Sequence, residues 1–146
     1  RFLQRARRTL GSDAQMLIGV DAKKSVAVLE AAYNDAAGVT AEFNLNALLH
    51  LNTQLSADFK PQQFAHVARY NATRGCMQMF LRSRVAQRVK IGDATIDFAA
   101  DELVHTEDSY KYQPQEFVHI AEQAGFAQTA LWQDDDAWYS LFLLHT

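Results

Sequence analysis

Apolar residues are spaced in three different ways along the chain. Phe2, Leu3, Ala6 and Leu10 recur at helical intervals, and Gly11 closes that stretch as glycine does past a last helical turn. Met16-Leu17-Ile18-Gly19-Val20 is then apolar without interruption, the pattern of a strand buried on both faces of a parallel sheet. Residues 21–24 follow it directly, at the carboxyl end of a strand, where open α/β sheets gather ligands. Val26, Leu29 and Tyr33, and beyond Gly38 the residues Phe43, Ala47, Leu48 and Leu51, predict two short helices, with Pro61 closing the segment that follows.

From residue 64 to 112 the period becomes two: Met77, Met79 and Leu81 alternate with polar neighbours, as do Ala94, Ile96 and Phe98 with Thr95 and Asp97. Gly92-Asp93 is a tight-turn signal between residues 87–91 and 94–99, and residues 71–75 form a looser hairpin loop before Cys76. An antiparallel meander of four or five strands is expected. Pro114 suits a first helical position, Glu116 complements the helix dipole, and Phe117, Ile120, Ala121 and Ala124 make one apolar stripe ending at Gly125. Residues 126–132 and 138–145 flank the acidic turn at 133–136 and read as a terminal hairpin. The fold class is therefore α/β, with one sheet interrupted by a second subdomain and then resumed.

Composition narrows the field. A chain of 146 residues with 49% hydrophobic and 21% charged content can bury a core of its own. The net charge of -3 gives no field to attract nucleic acid or an anionic membrane, which leaves small molecules or proteins as partners. Cys76 is the only cysteine, excluding an intrachain disulfide or a zinc ribbon and agreeing with a reducing compartment. Apolar runs are too short to span a bilayer and no signal segment opens the chain, so a cytoplasmic location is expected. Arg1 is not an initiator methionine, and helical spacing is already under way there, which reads as a fragment. Arg1, Arg5, Arg7 and Arg8 read as the solvated side of that first helix. The five histidines show no metal-ligand spacing, and no metal is expected.

Tyr33-Asn34-Asp35-Ala36-Ala37-Gly38-Val39-Thr40, with Phe43-Asn44 and Asn46, resembles the histidine-specific methyltransferases of ergothioneine biosynthesis. The resemblance continues through Tyr70-Asn71, Met79, Phe98-Ala99-Ala100 and Thr106-Glu107-Asp108-Ser109-Tyr110-Lys111-Tyr112 to Ala124-Gly125-Phe126 and Trp132, essentially the whole chain. It implies the C-terminal part of a class I, Rossmann-like methyltransferase: residues 1–22 in the α/β domain, 23–112 an inserted substrate-binding subdomain, and 113–146 the α/β domain resumed. It implies S-adenosyl-L-methionine as cofactor, held mostly by residues upstream of this chain, and histidine as substrate, methylated on its α-amino group. Tyr33 would help hold the amino acid head group, Thr40 and Met79 would line the pocket, and Glu107 and Ser109 would contact the imidazole. No catalytic residue is assigned, and the fragment alone is expected to be inactive.

The chemistry of the residues agrees with that allocation. Neutral imidazole offers one donor and one acceptor, which a carboxylate and a hydroxyl two positions apart on one strand face can match. His105 shares that face with Glu107 if no bulge intervenes. Two features depart from the family pattern: Asp101-Glu102 stands where a Gly-Glu turn is usual, and Asp108 follows Glu107, crowding negative charge near the pocket. These departures leave open a relative that methylates another amino acid or amine, and on the residues alone a non-catalytic cup for a small ligand and an interaction domain remain open beside the enzyme.

Overall fold

The computed structural model describes all 146 residues. In chain order its elements are α1 (Phe2–Leu10), β1 (Gln15–Asp21), α2 (Val26–Tyr33), α3 (Val39–Leu55), β2 (Phe64–Asn71), β3 (Cys76–Ser83), β4 (Gln87–Ile91), β5 (Ala94–Phe98), β6 (Leu103–Tyr110), α4 (Pro114–Gln123), β7 (Ala127–Gln133) and β8 (Tyr139–His145), with a 3-10 turn at Pro61–Gln63. They fall into two compact units, one made of residues 1–24 with 110–146 and the other of residues 25–109.

In the first unit the terminal hairpin β7–β8 forms as expected, and β8 also pairs antiparallel with β1 along its whole length, giving the order β1-β8-β7. The α4 start is built as its sequence predicts: Pro114 opens the helix, and the Glu116 carboxylate accepts the Gln113 amide at 2.8 Å in a capping box. Leu3, Val20, Phe117, Ala121, Phe126, Phe142 and Leu144 make the core. A parallel neighbour was expected for the strand at residues 16–20; within these 146 residues its neighbour is the antiparallel β8. Among these residues β1 has β8 alone beside it and its exposure alternates, Leu17 being 59% exposed while Val20 is buried. An unbroken apolar run reports low polarity but not the direction of the neighbouring strand. At Gly19 the outer face has a specific use, because a side chain there would collide with the Tyr139 hydroxyl.

Two chain crossings lie side by side in this unit. Ala22 and Tyr112 form an isolated parallel bridge, the Tyr112 amide donates to the Asp21 carbonyl at 3.1 Å, and the Ala22 amide donates to the Trp138 carbonyl at 3.0 Å. The Lys111 side chain is only 1% exposed, and its Nζ lies 2.7 Å from Asp21 Oδ2. Lys24 reaches the other Asp21 oxygen at 2.6 Å and sits over the Trp138 ring, 5.4 Å from its centroid. Burial raises the Asp21 pKa, but the two lysines outweigh it and leave the group below its ordinary value. The residues just past β1, read from sequence as lying near a ligand site, here build this ion-paired junction.

In the second unit β2, β3 and β6 form one sheet with β3 in the middle, while β4 and β5 form a separate two-stranded hairpin. Five strands are present where four or five were expected, but the single meander is corrected to two sheets. After Ser83 the chain leaves for the hairpin and returns at Asp101 and Glu102, whose backbone groups exchange hydrogen bonds with Ser83. Gly92-Asp93 makes the predicted turn, with Ile91 paired to Ala94. The helix after Gly38 is not short: α3 has 17 residues, and its Phe43 faces solvent while Leu48 is buried. Leu48 packs with Phe59, Phe64, Leu81, Val89 and Phe98, and Phe59, Phe64 and Phe98 form a ring cluster with centroids 5.6–6.2 Å apart. Asp101 has φ 64, in the left-handed region that favours glycine, which fits the usual Gly-Glu pattern at this turn; aspartate tolerates it better than most residues.

Candidate functional site

The helical face of the β2-β3-β6 sheet carries most of the expected site. Antiparallel register places His66 opposite Leu81, Ala68 opposite Met79 and Tyr70 opposite Met77, so these pairs share one face. The C-terminal end of α2 is tied to that face by three groups. Glu30 accepts the Tyr70 amide at 3.0 Å, Asn34 donates to the Ala68 carbonyl at 3.2 Å, and His66 Nε2 lies 2.9 Å from the Tyr33 carbonyl. A carbonyl can only accept, so His66 Nε2 carries the proton, and its Nδ1 accepts from Asn44 Nδ2 at 2.9 Å. Asn44 is buried and also donates to the Phe80 carbonyl at 3.0 Å, which fixes the ring in turn. Sequence reasoning passed over His66 as an isolated histidine; its one signal was the polar Asn44 lying among apolar helix positions.

Held this way, the Tyr33 hydroxyl donates to Ser109 Oγ on β6 at 2.8 Å. Met79, 3% exposed, lies on the central strand β3. Thr40 belongs to the first turn of α3, where the Asp35 side chain accepts the Thr40 and Val39 amides, each at 2.9 Å. These bonds, the Thr40 amide and hydroxyl foremost, pull the Asp35 carboxyl down from 3.8 to about 2. Glu107 is exposed on β6. Of the five expected residues, then, Tyr33 and Ser109 are joined directly, Thr40 is fixed through Asp35 two residues past Tyr33, Met79 sits in the sheet floor, and Glu107 projects into solvent.

Asp108 does not add its charge to the same face. Its carboxylate accepts from Gln78 Nε2 at 2.9 Å, pairs with Arg74 at 2.7 Å and meets His105 Nε2 at 2.8 Å. Gln78 lies on the face opposite to Met77 and Met79. His105 packs against Phe80 on that same opposite face, ring centroids 5.2 Å apart, and so turns away from the Tyr33–Ser109 contact. His105 and Asp108 are three residues apart yet meet, a spacing that strict strand alternation would not bring together.

The residues present do not form a cradle for S-adenosylmethionine. Such a cradle needs a glycine-rich turn between a strand and a helix so that backbone amides can approach the ligand. In this chain β1 leads into α2 through Ala22-Lys23-Lys24-Ser25, which contains no glycine and whose lysines are engaged with Asp21 and Glu116.

The Tyr33–Ser109 contact and the ties of α2 to the β2-β3-β6 sheet give the geometry on which the expected residues lie, and comparison with known proteins gives the family. The model of the histidine-specific, S-adenosylmethionine-dependent methyltransferase family matches residues 1–146, and the chain belongs to that family. Over 144 residues it is 42% identical to the histidine N-alpha-methyltransferase of Mycolicibacterium smegmatis, covering 97% of this chain and 45% of that protein. The histidine N-alpha-methyltransferase of Mycobacterium tuberculosis is 41% identical over 88% of this chain and 40% of its own length. An L-tryptophan methyltransferase of Psilocybe serbica is 29% identical over 88% of this chain. The chain thus spans under half the length of the curated relatives it matches.

Proposed function

We propose that the whole protein methylates the α-amino group of histidine, using S-adenosylmethionine, and that this chain supplies the surface that recognises the substrate. The observation that carries the reading is the Tyr33–Ser109 hydrogen bond, which links the α2 and β6 residues expected to meet the head group and the side chain. Tyr33 positions the amino acid head group, Thr40 and Met79 bound the pocket, and Glu107 with Ser109 takes the imidazole through one acceptor and one hydroxyl. The chain's part in the rate is orientation, since holding an amine in line for transfer contributes without a protein nucleophile.

On this reading the first unit is the C-terminal part of a Rossmann-like sheet, with residues 23–112 inserted after β1 and β8 as its reversed last strand. Most of the cofactor site lies outside these 146 residues, and the chain alone is inactive. The test is mass spectrometry of histidine incubated with S-adenosylmethionine and the full-length protein, with the 146-residue chain in parallel. Methylated histidine from the full-length protein alone is expected; no product from a folded, cofactor-binding full-length protein overturns the reading. Tryptophan belongs in the same assay, because one relative is named for it and an indole N–H could also donate to Glu107.

A further inference from the structure

The segment Thr106-Glu107-Asp108-Ser109 contains two residues of the proposed site, and between them is one that takes no part in it. Alternation turns the Asp108 side chain away from the face where Ser109 meets Tyr33. Its side chain, 16% exposed, has three polar partners on the other face: Gln78 from the adjacent strand, Arg74 from the β2–β3 loop and His105 from its own strand. Gln78 is itself buried and receives the Asn71 side-chain amide at 3.0 Å, so the anchor runs on from Asp108 through Gln78 to the end of β2. The Cys76 thiol, fully buried, also points at Asp108 from 3.9 Å. Elsewhere β6 is exposed from residue 103 to 107. Backbone pairing with β3 sets the line of the strand, and with little apolar packing on residues 103–107 the side-chain contacts of Asp108 are what add to it beside Glu107 and Ser109.

We propose that Asp108 is a positioning residue: by pinning β6 from the back of the sheet through Gln78 and Arg74, it holds Glu107 and Ser109 in the placement that receives the substrate side chain. The proposal rests on the reading of those two residues given above. It also accounts for Asn71, which supports Gln78 and touches no part of the site. The negative charge crowded next to Glu107 in sequence is, in the fold, neutralised on the reverse face.

The test uses the full-length protein with Asp108→Ala, Asp108→Asn and Arg74→Gln. Asp108→Ala is expected to raise the KM for histidine on the order of tenfold or more with a much smaller change in kcat, since the binding geometry and not the transfer is disturbed. Asp108→Asn keeps an acceptor for Gln78 while losing the charge facing Arg74, and falls between. Amide hydrogen exchange at residues 107–109 is expected to quicken in Asp108→Ala while exchange in β7 and β8 stays unchanged. A histidine KM within twofold of wild type, or unaltered exchange at residues 107–109, overturns the proposal. If Asp108→Ala fails to fold, Arg74→Gln, at a half-exposed side chain, decides by the same two readouts. If the wild-type protein makes no methylated histidine, the functional reading falls, and exchange at residues 107–109 alone judges the anchoring.

Discussion

Replacing Tyr33 by phenylalanine removes one oxygen and leaves the packing of α2 on its sheet intact, because the helix is held there by Glu30, Asn34 and the Tyr33 carbonyl and not by the hydroxyl. The loss inside the protein is one neutral hydrogen bond, 2.8 Å long and partly buried, worth about 0.5–1.5 kcal/mol. That is too little to unfold a domain. The loss in binding is expected to be larger. If the hydroxyl also serves the charged head group of the substrate, the hydrogen bond removed is worth roughly 1.5–3 kcal/mol, a factor of about 10 to 150 in affinity. The assay is steady-state kinetics of the full-length variant with histidine, beside a thermal melt. A KM raised at least tenfold, with a melting temperature lowered by only a few degrees, is the expected result. Unchanged KM and kcat would refute the reasoning and return Tyr33 to a purely structural part; a collapsed melting temperature would show that the hydroxyl holds the unit together.

Glu107→Ala in the full-length protein should lower kcat/KM for histidine far more than for an apolar amino acid, and equal losses would remove its role in selectivity. Lys111→Met should destabilise the first unit by about 2 kcal/mol, less than for a fully buried pair because Asp21 is 28% exposed and keeps Lys24; urea unfolding measures it. Asp35→Ala should fray the start of α3 and lower the urea midpoint at pH 7. Because the folded pKa of Asp35 lies below the ordinary 3.8, at about 2, its contribution is complete above pH 4 and fades as pH falls through that interval. The gap between wild type and variant should therefore close between pH 4 and 2, and a gap constant over that range would contradict the capping role.

Turns and amphipathic faces were readable in the sequence because they depend on local chemistry. Gly92-Asp93 admits little but a tight turn, and Pro114 with Glu116 three residues past Gln113 spells out a helix start. Pairing partners were harder to read. The run at residues 16–20 carries no mark that β8, from the other end of the chain, will lie antiparallel beside it, and nothing near Ser83 announces that the chain will leave one sheet to build a hairpin and come back. The family was legible chiefly through spacing kept over the whole chain, and the residues expected at the site came with it. The supports of those residues were not, since the ties from His66 to Tyr33 and from Gln78 to Asp108 join residues 33 and 30 positions apart and obey no short motif.

The bridge between Ala22 and Tyr112 bears on how the molecule folds. β1 must pair with a strand from the far end of the chain, Gln15 with His145 and Asp21 with Tyr139. Closing so long a loop from a disordered chain costs on the order of 4 kcal/mol in entropy before any contact offsets it. If residues 25–109 collapse first around their own core, their two ends emerge beside each other and the long search becomes a short one. The first unit is then a late folder, its rate set by how fast the insertion orders, and damage to the Phe59, Phe64 and Phe98 cluster would slow the formation of a sheet to which those rings contribute nothing.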